Sequence, residues 1–138
     1  MASLGAVESI ALCRYAIGTP AARRRAPLIA SSVVRDKAAV ALVDAITSAP
    51  EGGGPNDTDC LKTYGSEILV LKLHGSNADQ EVLIRYKGCH FNGTDDGVTL
   101  RRLTAAVLRP ILTGIHQQTT YGHALYELVV GPAPPKWR

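Results

Sequence analysis

The sequence predicts an α+β fold, an antiparallel sheet of four or five strands with two amphipathic helices, in the order ββαββα(β). Three observations carry this. Residues 7–17 and 67–87 are rich in β-forming side chains that alternate imperfectly between apolar and polar. Two other stretches, 34–46 and 100–115, place apolar side chains at helical spacing. The two best strands are joined by a short polar turn, which an antiparallel pair tolerates and a parallel βαβ unit does not.

Taken in order, Ile10, Leu12 and Arg14 alternate with Ala11, Cys13 and Tyr15, as in a half-buried strand. Gly18, Thr19 and Pro20 end it, and Leu28 to Ser32 return as a short second strand. The period then changes: Val34, Ala38, Ala41, Leu42, Ala45 and Ile46 form a helical stripe. Ser31 or Ser32 is the expected N-cap, and Pro50 with Gly52, Gly53 and Gly54 the stop. Residues 50–64, rich in Gly, Pro, Asn, Asp and Thr, read as an exposed surface loop within a single domain spanning 1–138.

A hairpin follows, 67–73 and 81–87, around a polar turn from His74 to Gln80. Leu69, Leu71 and Leu73 make one apolar face, and Val82, Ile84 and Tyr86 its counterpart. Residues 88–97 read as a compact turn. A second helix is expected from Leu100, capped by Thr99, with a kink or break near 106–110 at Pro110. Residues 119–130 suggest a last strand, and Pro132, Pro134 and Pro135 place 131–138 in a flexible tail.

Composition excludes several classes. Hydrophobic residues at 46% against 20% charged are too apolar for intrinsic disorder. Aromatics at 5% leave few platforms for stacking nucleobases. The net charge of +3 is that of an ordinary soluble domain. Arg23, Arg24 and Arg25, with Arg101 and Arg102, allow weak nucleic-acid binding, but they do not establish a continuous basic face and more commonly form solvated loops. No stretch approaches the roughly 20 apolar residues of a membrane span, and no export signal is visible.

There are three cysteines. Cys60 precedes the first strand of the hairpin and Cys89 follows the second, so a Cys60–Cys89 bridge is topologically natural. If formed, it closes a loop of about 30 residues and stabilises by roughly 3–4 kcal/mol less any strain. Cys13 then remains as a buried thiol or, on the sharper reading, a reactive or intermolecular one.

Leu12, Cys13, Arg14 and Tyr15, then Asp59 and Cys60, the strand pair ending in Tyr86, Lys87, Gly88 and Cys89, and Asn92 with Gly93 resemble a loose group of uncharacterised actinobacterial exported proteins and lipoproteins. The likeness spans residues 10–115. It implies an extracytoplasmic or secreted location and a disulfide, and it implies no activity. A cytoplasmic location is the alternative, since this chain shows no export signal.

The chemistry-bearing constellations are weak. The glycines of 51–54 lack the Lys-Ser/Thr of a phosphate loop. Asn92, Thr94, Asp95 and Asp96 cluster oxygen ligands, yet lack the full calcium-loop spacing and serve equally as turn and capping groups. Cys89 and His90 near Asp95 and Asp96 form the most catalytic-looking neighbourhood, a thiol and an imidazole with orienting carboxylates. Adjacent strand residues point to opposite faces, however, which opposes a direct Cys–His pair. His74, His90, His116 and His123 are scattered, and no metal or cofactor is called for.

The expected function is therefore a small soluble binding or structural domain without catalysis, with a homo-oligomer or another protein as partner. Its weak candidate contacts are Lys72, Arg85, Lys87 and Asn92. The alternative is a small hydrolase using His90 with a nearby Asp or Cys, and a third reading is nucleic-acid binding through the Arg clusters.

Overall fold

A computed structural model describes residues 4–17, 28–53, 66–85 and 93–111. They build a six-stranded antiparallel sheet in the order β2-β1-β3-β4-β5-β6 with two helices, confirming the α+β class. The strands are β1 (Val7–Ile17), β2 (Leu28–Arg35), β3 (Ser66–Gly75), β4 (Asp79–Arg85), β5 (Gly93–Asp95) and β6 (Leu100–Arg101). The helices are α1 (Asp36–Ser48) and α2 (Ala105–Ile111). Because β2 and β3 both pair antiparallel with β1, they run parallel to one another, and α1 crosses over β1 between them.

Register explains the core. Paired residues share a face, and Ile10 opposes Leu73 while Leu12 opposes Leu71. Leu71 in turn opposes Val82, and Leu69 opposes Ile84. These apolar rows are buried against Ala39, Leu42 and Ile46 of α1 and Val107, Leu108 and Ile111 of α2. Each such fully buried Leu or Ile contributes about 1.5–3 kcal/mol relative to an exposed one. The period-2 pattern of β3 thus dictates which face the helices cover.

Several expectations are corrected. The second strand continues to Arg35, so Ser31 and Ser32 are strand residues rather than helix caps. Arg35 is the N-cap of α1 and makes no side-chain capping bond, and Asp36 opens the helix at φ 54°, a left-handed conformation that Asp tolerates better than most residues. The buried stripe is Ala39, Leu42 and Ile46, whereas Ala38 and Ala41 are exposed and Val34 belongs to β2. The hairpin turn narrows to Ser76–Ala78, with His74, Asp79 and Gln80 inside the ladder.

Nor are residues 88–97 all turn: Gly93–Asp95 form β5 against β4. Leu100 is a strand residue, so Thr99 caps nothing helical. The cap of α2 is Thr104, whose Oγ1 accepts from Val107 N at 3.3 Å. Of the expected kink or break, the break is absent: α2 is continuous over Ala105–Ile111 with Pro110 inside it. The reason that Leu100 is extended rather than helical is tertiary. Leu100 O accepts from Gly52 N at 2.9 Å and Pro50 O from Arg102 N at 2.8 Å, so the segment after α1 holds 100–102 extended.

The expected disulfide is also corrected. No disulfide occurs among the described residues; Cys13 is a free, buried thiol. Cys60 and Cys89 lie outside the described residues, as do the last strand at 119–130, the tail 131–138 and loop residues 54–64.

A close approach fixes residues 4–6. Leu4 is buried, and its carbonyl accepts from Asn77 N at 3.1 Å while Ala6 O accepts from Ser76 N at 2.8 Å. Leu4 lies so near Gly75 that a Cβ there would meet the Leu4 carbonyl oxygen and side chain. The arm 4–6 is thereby strapped to the β3–β4 turn.

Candidate functional site

Both helices lie on the Ile10/Leu12 face, and among the described residues no element lies on the opposite one. That opposite face has an apolar centre: Cys13 opposes Val70, and Val70 opposes Leu83. Cys13 is buried there and Val70 and Leu83 are half-buried. Charged side chains flank this centre along the strands.

At the turn end, one row crosses four strands: Arg35, Ser9, His74 and Asp79 stand in register. His74 Nδ1 donates to Asp79 Oδ1 at 2.6 Å, and its Nε2 lies 3.4 Å from Glu8 Oε2. Glu8 falls at the register shift between Val7 and Ser9, a bulge that re-aims its side chain. The Asp79 hydrogen bond, with the Asp79 charge second, raises the His74 pKa; slight desolvation opposes it and Glu8 adds a smaller push. Beside it is an open depression of about 410 Å³ lined by Lys72, Leu73, His74, Asp79, Gln80 and Glu81.

At the other end, Arg85 Nη1 lies 3.4 Å from Asp95 Oδ2. Asp95 Oδ1 also accepts from Gly97 N at 2.8 Å. Asp96 Oδ1 accepts from Val98 N at 2.9 Å and Thr99 N at 2.8 Å. The Thr99 amide, chiefly, holds the Asp96 carboxyl below its ordinary range, with burial opposing and Val98 assisting. These are the turn-forming roles open to Asp95 and Asp96 from the start.

Of the other expected contacts, Lys72 is exposed opposite Glu81. Arg85 shares its face but sits four residues from Glu81 along β4, about 13 Å away, so Lys72 and Arg85 form no common cluster. Lys87, Asn92, Cys89 and His90 lie outside the described residues, as do Arg23, Arg24 and Arg25. Arg101 donates from Nη1 to Ala49 O at 3.1 Å and is half-buried, a structural use of that guanidinium. Among the described residues, no group of three His, Cys, Asp or Glu is arranged to hold a metal ion. No described helix is long and apolar enough to cross a membrane.

Sequence reasoning missed the His74 cluster. Once the turn is known to be Ser76–Ala78, His74 and Asp79 must face each other, so that pair had a local signal. Glu8 and Ser9 reach it only through the β1–β3 pairing.

The site therefore belongs to an α+β domain whose antiparallel sheet, among the described residues, has helices on one face and a mixed row of apolar and charged side chains on the other. Comparison with protein-family models, with curated proteins and with solved structures finds no match.

Proposed function

We propose that this is a binding domain without catalysis of its own, engaging a protein partner through the sheet face opposite its described helices. The carrying observation is the make-up of that face. Cys13, Val70 and Leu83 form an apolar centre in register, between the His74–Asp79–Lys72–Glu81 end and the Arg85–Asp95 end. An apolar centre inside a charged rim is the anatomy of a protein interface. The resemblance to exported proteins supports an extracytoplasmic setting. The test is capture from the extracellular fraction with wild type and with Leu83→Lys, the variant checked for folding by its melting curve. A partner retained by wild type and lost by the variant is expected; equal retention by both overturns the reading.

A second reading, hydrolysis, is favoured by one observation: hydroxyl, imidazole and carboxylate stand in consecutive register at Ser9, His74 and Asp79. This replaces His90 as the base with His74, which Asp79 orients. Against it, Nε2 faces Glu8 and the ring sits between two carboxylates that favour its protonated form, a poor proton acceptor. The thiol of Cys13 offers no substitute nucleophile. It stands opposite Val70, four residues from His74 and about 13 Å along the strand. Turnover of chromogenic esters that disappears in both Ser9→Ala and His74→Ala establishes this reading over the first; turnover unchanged by either removes it.

A further inference from the structure

The arm 4–6 and the β3–β4 turn meet through a set of tight contacts. Ser76 N donates to Ala6 O at 2.8 Å, Asn77 N to Leu4 O at 3.1 Å, and Ala6 N to Ser76 Oγ at 2.9 Å. Gly5 takes φ 76° and passes so near Ser76 and Asn77 that a Cβ would collide with both side chains. Leu4 is buried in the core cluster, against Gly75. The arm joins β1 at Val7, and the next residue, Glu8, is the unpaired one of a bulge: Val7 opposes Gly75 and Ser9 opposes His74. His74 holds that extra residue, with Nε2 at 3.4 Å from Glu8 Oε2.

The two ring nitrogens are not equivalent. Nδ1–H is committed to Asp79 Oδ1 at 2.6 Å, so the proton that titrates is the one on Nε2. With that proton the ring offers Glu8 a charged donor. Without it, a nitrogen lone pair faces a carboxylate oxygen, two acceptors opposed. The contact changes sign rather than merely weakening. Other charges around the ring leave that sign unchanged. Asp79 on β4 is the second carboxylate at the ring, and Lys72 lies two residues back on the same face of β3, opposite Glu81. Arg35 on β2 stands in the same row beyond Ser9, about 10 Å off at two strand spacings. The nearest charges are thus both negative, and they favour the protonated ring.

We propose that His74 is a proton-operated latch on the arm 4–6: its protonated ring holds Glu8 and the bulge from which the arm departs, and its neutral ring releases them. The strap is held below the ring's titration and loosens as pH rises through it. The backbone bonds to Ser76 and Asn77 remain, so release raises the frequency of opening rather than detaching the arm. An open arm withdraws Leu4 from the core and bares an apolar slot over Gly75. The latch needs no partner, so it stands or falls apart from the binding reading.

Amide exchange of the whole chain tests it, read by NMR from below to above the His74 midpoint and corrected for the intrinsic rise with pH. In wild type, protection of Ser76 N and Asn77 N is expected to fall about two- to fivefold, at the midpoint given by the ring's own proton resonances. Protection of Leu71, at the centre of β3, is expected to stay constant. Glu8→Gln changes an exposed side chain and is expected to flatten the fall. Asp79→Asn is expected to move both midpoints to lower pH together. Unchanged protection in wild type, the same fall in Glu8→Gln, an equal fall at Leu71, or a fall whose midpoint departs from the ring's overturns the proposal.

Discussion

His74 Nδ1 and Asp79 Oδ1 stand 2.6 Å apart across the pair of residues that opens the β3–β4 turn. The contact closes the turn and aims the other ring nitrogen at Glu8 on β1, so one imidazole meets side chains from both neighbouring strands.

The first prediction follows from that contact. The folded pKa of His74 is raised above its ordinary 6.5. Its stabilising contribution is therefore complete below 6.5 and is lost as pH rises through the higher folded value. The ring is exposed, so the effect on overall stability is small. Proton NMR titration of the His74 ring is expected to give a higher pKa in wild type than in Asp79→Asn; equal values exclude the Asp79 bond as the cause.

Asp96 carries the opposite sign. Its folded pKa lies below the ordinary 3.8, so its contribution is present above 3.8 and is lost as pH falls through the lower folded value. Asp96→Ala removes the acceptor for two amides, and a loss of about 1 kcal/mol is expected in urea unfolding at neutral pH. The deficit is expected to shrink in acid. A pH-independent deficit contradicts the role of the ionised carboxylate.

Neighbours on opposite faces of β3 make a third test. Leu71 is fully buried and Lys72 exposed. Leu71→Ala is expected to cost about 2–5 kcal/mol. Lys72→Ala is expected to fall within about 0.5 kcal/mol of wild type. Similar costs for the two place β3 in the wrong register.

Gly75 is the fourth. Gly75→Ala puts a methyl against the Leu4 carbonyl and side chain, and overpacking of this kind costs about 1–3 kcal/mol. Amide exchange at Ser76 and Asn77 is expected to accelerate with it, since their N–H groups donate to Ala6 O and Leu4 O. Slow exchange retained in the variant shows that the arm does not depend on the close approach.

Alternation and periodicity made β1, the 67–85 hairpin and both helices legible, because each rests on residues near in sequence. Leu69, Leu71 and Leu73 announce the buried face of β3 by spacing alone. Errors gathered where partners come from afar. Leu100 fits the helical stripe of Leu103, Val107 and Leu108, yet Gly52 and Asp95 hold its backbone extended. Ser31 and Ser32 are good caps by type, yet pairing with β1 draws their backbone into β2.

By itself, then, the sequence determined the α+β class, the hairpin and the buried faces of its strands, since side-chain period acts within a few residues. Only the tertiary structure decided where β2 gives way to α1, that 93–101 forms two further strands, and that Glu8, Ser9, His74 and Asp79 share one corner. Backbone hydrogen bonds between segments far apart in the chain settle those choices, and no local pattern encodes which distant partner a strand will meet.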